Sequence, residues 1–200
     1  MSTAPQYQPI SVRDYLDGEE TAKRKHEYVD GVVYAMTGGT PSHSSIAVNS
    51  IIALGIQLRG QKCRVFNSDM KIRVRMSQGI RFYYPDVSVV CQPNPRGDVF
   101  QDAPVAIIEV ISESTRRTDE SEKREAYLSI PSLRVYILVE QASAYALAYR
   151  RSDSGFEREA YVGLDAVIPL PEVNCSLALA DIFQNVEFQP LPSEDDLEEG

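Results

Sequence analysis

The sequence predicts an α/β domain: a mixed β-sheet core flanked by helices, with an N-terminal β-hairpin and antiparallel strands added towards the C-terminus. Three observations lead there. The run Pro104-Val-Ala-Ile-Ile-Glu-Val-Ile-Ser112 is apolar or proline at seven of nine positions, which reads as a strand buried on both faces. Asp30-Gly31 separates two apolar-rich runs, a hairpin signal because a type I′ turn needs positive φ at both central residues. Ile46, Ile51, Ala53, Leu54 and Leu58 give residues 42–59 the broad apolar face of a helix.

The remaining elements follow in order. Residues 1–10 are polar and contain proline, an extended arm. Ser11 can cap a helix reaching about residue 20, with Val12, Tyr15 and Leu16 on one face. Glu27 falls on the first arm of the hairpin, and its neighbour His26 faces the other way. Residues 37–42 are a Gly/Pro/Ser loop, and Gly60 stops the long helix. His43 lies in that helix's first turn, where an exposed or capping histidine is commoner than a ligand.

Residues 62–66 and 69–76 read as strands. In the second, Met70, Ile72, Val74 and Met76 alternate with Asp69, Lys71, Arg73 and Arg75. A solvated strand, with charge guarding an edge, is favoured over a phosphate-facing stripe, because no aromatic residues interleave with the bases. Residues 81–91 hold a strand carrying Asp86, and 92–103 a Pro/Gly/Asp loop. A helix over about 119–129 is stopped by Pro131, a strand follows at 133–140, and 145–150 pairs with 156–162 around Asp153-Ser-Gly155. A last helical turn is expected at 177–183. Residues 11–186 then form one domain, and 187–200 an acidic, disordered tail.

Hydrophobic content of 43% and charged content of 24% are ordinary for a globular protein. No apolar run approaches the ~20 residues of a transmembrane helix, and the first residues lack the pattern of a secretory signal. Three widely spaced cysteines, Cys63, Cys91 and Cys175, read as free, mostly buried thiols in a reducing cytoplasm. The net charge of −9 disfavours non-specific nucleic-acid binding, but it is unevenly spread. Glu194, Asp195, Asp196, Glu198 and Glu199 crowd the last ten residues, whereas residues 59–81 hold seven bases and the single acid Asp69.

The chemistry gathers at two acids carried into the core. Glu109 interrupts the apolar run above, and Asp86 stands at another proline-led strand, Tyr83-Tyr-Pro-Asp-Val-Ser-Val-Val90. A carboxylate in a dry interior is costly unless a base, a proton or a metal ion compensates it. Either acid alone reads equally well as a structural ion pair. Together, with Lys123 on the following helix and Glu27 on the hairpin, they match a hard-cation site for phosphodiester hydrolysis.

These residues resemble those of a known group. Pro85-Asp86 followed by Glu109 looks like the PD-(D/E)xK nuclease superfamily. The fuller set is Glu27-Tyr-Val-Asp-Gly31, Ser42-His43, Tyr84-Pro-Asp86, Ile108-Glu-Val-Ile-Ser112, Ser114-Thr115, Asp119, Lys123 and Tyr127. It resembles the Uma family of restriction-endonuclease-like proteins over roughly residues 10–185. The resemblance implies a restriction-endonuclease-like core, a Mg²⁺-dependent site that Mn²⁺ could also serve, DNA as substrate and a homodimer. Asp86 and Glu109 would be metal ligands and Glu27 a further acid.

The superfamily lysine belongs two residues after the second acid, where this chain has Ile111. Lys123 is the expected replacement, its long stem reaching back to the strand ends; the bland reading is a solvated helix lysine. Arg116 and Arg117 would suit phosphate clamping, and His43 and Tyr127 complete the substrate-binding candidates. A nuclease requires Glu109 ionised and metal-bound. In the alternative, a catalytically silent nucleic-acid or partner-binding scaffold, Glu109 simply pairs with Lys123.

Overall fold

The computed structural model of the protein describes residues 8–112 and 116–188. The expected tail beyond residue 188 and the Ser114-Thr115 motif lie outside the described residues. Helix α1 (Val12–Glu19) starts at Ser11, whose hydroxyl accepts the Asp14 N–H. The hairpin forms from β1 (His26–Val29) and β2 (Val32–Ala35). Asp30 and Gly31 have φ of 49° and 99°, as a type I′ turn demands. Helix α2 (Pro41–Gln57) is capped by Thr40 and has proline in its first turn, where a missing N–H costs nothing.

Strands β3 (Arg64–Asn67), β4 (Lys71–Met76), β5 (Gly79–Tyr83), β6 (Val87–Val90), β7 (Phe100–Gln101) and β8 (Pro104–Ile111) follow. Next come a short α3 (Arg116–Thr118), a π-helical turn (Asp119–Lys123) and α4 (Arg124–Leu128). The chain closes with β9 (Val135–Glu140), β10 (Tyr145–Ser152), β11 (Gly155–Val162), β12 (Val167–Leu170), β13 (Cys175–Ala178) and α5 (Leu179–Ile182).

The strands sort into two main sheets. One runs β2-β1-β5-β4-β7 and the other β11-β10-β9-β8-β6-β3, with β12 and β13 a separate pair. Residues 81–91 are therefore not one strand. Pro85 cannot donate to a ladder, and at Tyr84-Pro-Asp86 the chain leaves β5 in one sheet to enter β6 in the other. Strand β8 pairs antiparallel with β6 and parallel with β9. Its Ala106, Ile108 and Val110 pack with Ile46 and Leu54 of α2 and with Leu58, which caps its end. Its Ile107 and Ile111 face the other way, against Ile72 and Val74 of the first sheet and Tyr127 of α4. The first sheet's outer face packs Tyr28, Phe82 and Phe100 against Tyr15 of α1.

Two expectations are corrected. Cys63 and Cys91 form a disulfide, Cα–Cα 3.9 Å, and Cys175 alone stays free. The cause is register: β3 and β6 pair antiparallel with Arg64 opposite Val90, so one further step sets Cys63 opposite Cys91. Strand β4 is not a solvated edge but lies between β5 and β7. Its basic face is covered: Lys71 is buried, Arg73 is held by Asp102 at 2.7 Å, and only Arg75 is exposed. Among the described residues no helix is long and apolar enough to cross a membrane.

Candidate active site

The β6–β8 register places Val87 opposite Ile108, so Asp86 and Glu109 face each other one step further along. Each takes a backbone N–H from the other's strand. Asp86 N–H donates to Glu109 Oε2 at 3.1 Å, and Val110 N–H donates to Asp86 Oδ2 at 2.8 Å. Glu109 alternates with Ile107 and Ile111, so it points into the space between the sheets. There it is only 3% exposed. The Tyr127 hydroxyl donates to its Oε1 at 3.1 Å. Burial pushes the Glu109 carboxyl well above the usual range; Lys123 pulls it back, and Asp86 and Asp119 push it further up.

Lys123 reaches this spot from the π-helical turn, its side chain 11% exposed. Its Nζ lies 2.9 Å from Glu27 Oε1, 3.5 Å from Asp119 Oδ1 and 3.6 Å from Glu109 Oε1. Burial works against the ammonium, but Glu109, Glu27 and Asp119 outweigh it and raise its pKa well above the ordinary lysine value. Glu27 is a nearer counter-ion to Lys123 than Glu109 is. Ile111, at the superfamily lysine position, is buried in the apolar cluster on the same face. The one-residue excess of a π turn re-aims a helix and recurs at functional sites; here it carries Asp119 and Lys123 together to the acids.

Glu27, Asp86, Glu109, Lys123, His43 and Tyr127 are thus brought together. His43 comes from the first turn of α2, and its Nε2 is 3.2 Å from Asp86 Oδ2. That hydrogen bond raises the His43 pKa against the effect of burial. Arg116 is not in this group. It is bound bidentately by Glu140 at 2.6 Å and also by Glu120 at 2.9 Å. The Arg117 side chain lies outside the described residues. Asp119 is a residue whose part sequence reasoning missed: buried at 3% exposure, it braces Lys123. Its i, i+4 spacing to Lys123 was the available signal.

Among the described residues no group of three or more His, Cys, Asp and Glu side chains forms a ready metal cage. The donors nevertheless suit a hard divalent cation. Mg²⁺ commonly takes one or two protein carboxylates and leaves its other positions to water and substrate phosphate. Burial is the main reason the Glu109 pKa is raised, and the Asp86 charge adds to it; a dication between the two carboxylates would relieve that repulsion.

Known proteins resemble this chain in sequence and in fold. The sequence model of the Uma2 family, described as "Putative restriction endonuclease", matches residues 12–180. A Synechocystis protein named "Uncharacterized protein slr1290" is 33% identical over 188 residues, covering 94% of this chain and 98% of its own. A second from that organism, "Uncharacterized protein sll1609", is 30% identical over 135 residues, 66% of this chain and 75% of its own. The crystal structure of "a putative nuclease belonging to DUF820" from Anabaena variabilis is similar with a TM-score of 0.69. At 20% identity, over 88% of this chain and 98% of that one, the likeness establishes a shared mixed α/β fold.

Proposed function

The chain belongs to the Uma2 restriction-endonuclease family, and on that premise we propose that it is a Mg²⁺-dependent DNA endonuclease. The observation that carries the reading is the reciprocal clasp of Asp86 and Glu109, with Lys123 beside it. Asp86 and Glu109 would hold the ion, and Mn²⁺ could replace it. Bound there, the ion supplies Lewis-acid polarisation of the phosphodiester and a more acidic water.

The protein's own groups do the rest. Val110 N–H and His43 fix the Asp86 carboxylate, and Tyr127 fixes Glu109. With its pKa raised, Lys123 stays an ammonium at neutral pH. It therefore acts as a preorganised positive charge beside the phosphate and as a proton donor, not as a base. Glu27 and Asp119 hold that ammonium in place. A homodimer, with one site for each DNA strand, is part of this reading.

One observation favours the silent-scaffold alternative. Lys123 already lies within ion-pair distance of Glu27, Glu109 and Asp119. Conversion of supercoiled plasmid to nicked or linear forms separates the two. Cleavage with Mg²⁺ that is absent in EDTA and absent for Glu109→Ala is expected. No cleavage by the wild type, or equal cleavage by Glu109→Ala, would leave the scaffold.

A further inference from the structure

A second buried lysine has no counterpart to these acids. Lys71 opens β4, one ladder step beyond the Ile72–Tyr83 pair, so it sits opposite Tyr84. It is only 7% exposed. Its Nζ lies 5.1 Å from the centre of the Tyr84 ring. Among the described residues that ring is its polar company: the ammonium makes no hydrogen bond and no ion pair there. Burial depresses its pKa, with the field of Glu19 working the other way.

The acids in the neighbourhood are already engaged. Glu19 Oε1 is 2.7 Å from His26 Nδ1, and its Oε2 accepts the Tyr84 hydroxyl at 2.7 Å and the His26 N–H at 3.2 Å. Asp69 is bound by Lys25 at 2.5 Å and by the Asn67 amide at 3.0 Å. Lys25 Nζ in turn lies 5.6 Å from the centre of the same Tyr84 ring. Two ammonium groups therefore lie close to one aromatic ring, and the more buried residue of the two has no anion.

The Lys71 stem is covered, but its Nζ is not one of the buried unpartnered atoms, so the ammonium reaches solvent at the end of a buried stem with no carboxylate bound to it. The arrangement is explained if the anion comes from outside. Its location says which anion. Tyr84 is two residues before Asp86, and its N–H donates to Glu27 Oε1 at 3.4 Å. The crossover that presents the acids on one side thus presents Tyr84 and Lys71 on the other. If the scissile phosphate lies at Asp86 and Glu109, a strand running over the Tyr84–Asp86 crossover would carry a neighbouring phosphate round to this point. A compact ammonium on a flexible four-carbon stem suits a phosphate oxygen, and the stem lets the charge swing outward to meet it.

We propose that Lys71, supported by Lys25 and Tyr84, is a subsite for a DNA backbone phosphate flanking the scissile one. The proposal rests on the nuclease reading for the path of the strand, but its test does not need cleavage. Fluorescence anisotropy in EDTA measures binding of a labelled duplex and of the matching single strand across a range of NaCl. Wild type, Lys71→Met and Lys71→Arg are compared, with a thermal melt of each variant confirming that it folds. Lys71→Met is expected to bind about tenfold more weakly at 0.1 M salt. Its slope of log K against log salt should be shallower by about 0.9 for duplex or 0.7 for single strand, one phosphate contact. Lys71→Arg should restore most of the slope.

Wild-type affinity and slope in folded Lys71→Met would overturn the subsite, whatever the plasmid assay shows. A wild-type protein that binds neither duplex nor strand would overturn it as well. The slope change in a protein that never cleaves would uphold the subsite and reject only the nuclease chemistry.

Discussion

Lys123 and Lys71 are both withdrawn from water, and their surroundings are opposite. Lys123 lies among Glu27, Asp119 and Glu109 at 2.9, 3.5 and 3.6 Å. Lys71 has a tyrosine ring at 5.1 Å. In the first pocket the lysine compensates acids that would otherwise repel one another, so it contributes to folding as well as to chemistry. In the second no carboxylate pairs with the ammonium, so the lysine contributes its packed stem and a ring contact but no ion pair. Burial of the same side chain, a short distance apart, therefore carries two meanings, and the count of opposite charges within reach decides between them.

The sharpest way to break this contrast is stability. Removing one partner of a buried ionic group costs about 3–5 kcal/mol. Lys123→Met should lose that order of stability in urea denaturation, whereas Lys71→Met should hold steady or gain about 1 kcal/mol. Equal losses in both would mean that the Lys71 ammonium has a native partner. A second effect sharpens the acidic side. Wild type should melt higher as Mg²⁺ rises, by about 2.7 kcal/mol at a hundred times the dissociation constant. Glu109→Gln should lose that response while gaining apo stability, and an unresponsive wild type at millimolar Mg²⁺ would count against the pair as ligands.

Asp119→Asn should come next. It loosens Lys123 without touching Asp86 and should lower the single-turnover rate roughly tenfold, about 1.4 kcal/mol, with Mg²⁺ affinity intact. An unchanged rate would mean that Glu27 alone positions the ammonium. The smallest effect lies at Asp102, just after β7, which holds Arg73 of β4. Burial works to raise the Asp102 pKa, but Arg73 and Asn94 outweigh it and hold the carboxyl below its usual range. Its folded pKa is depressed, so its stabilising contribution is present above the unfolded value of ~3.9 and is lost as pH falls through the folded one. A third of this side chain is exposed, so screening keeps the contribution below about 1 kcal/mol. Asp102→Asn should flatten the acid limb of the stability curve by that small amount; an unaltered limb would show the pair to be neutral.

Much of this was readable from residues alone, for local reasons. Asp30-Gly31 permits one tight turn, and the hairpin follows. An acid inside Val-Ala-Ile-Ile-Glu-Val-Ile can only be a buried acid, and Lys123 four residues before Tyr127 shares its face. What was not readable depends on contacts distant in the chain. Cysteine number says nothing about the register that opposes Cys63 and Cys91. The alternation of Lys71, Arg73 and Arg75 with apolar residues reads as a solvated face unless α1, β7 and Asp102 are known to cover it. A π turn leaves no mark in composition, so the i, i+4 spacing of Asp119 and Lys123 suggested a shared face but not that the turn would aim both at the acids. Arg116 looked free for phosphate because Glu140, its partner, lies 24 residues away on β9.

The most direct test of the contrast is single-turnover cleavage of a DNA duplex with Mg²⁺ and saturating enzyme, run on wild type, Lys123→Met and Lys71→Met together. At saturation a binding defect is hidden and a chemical one is not. Lys71→Met should cleave at the wild-type rate, while Lys123→Met should be slower by about 10²–10⁴-fold. A Lys123→Met protein that cleaves as fast as wild type would contradict the account, reducing Lys123 to a structural counter-ion for Glu27 and Asp119.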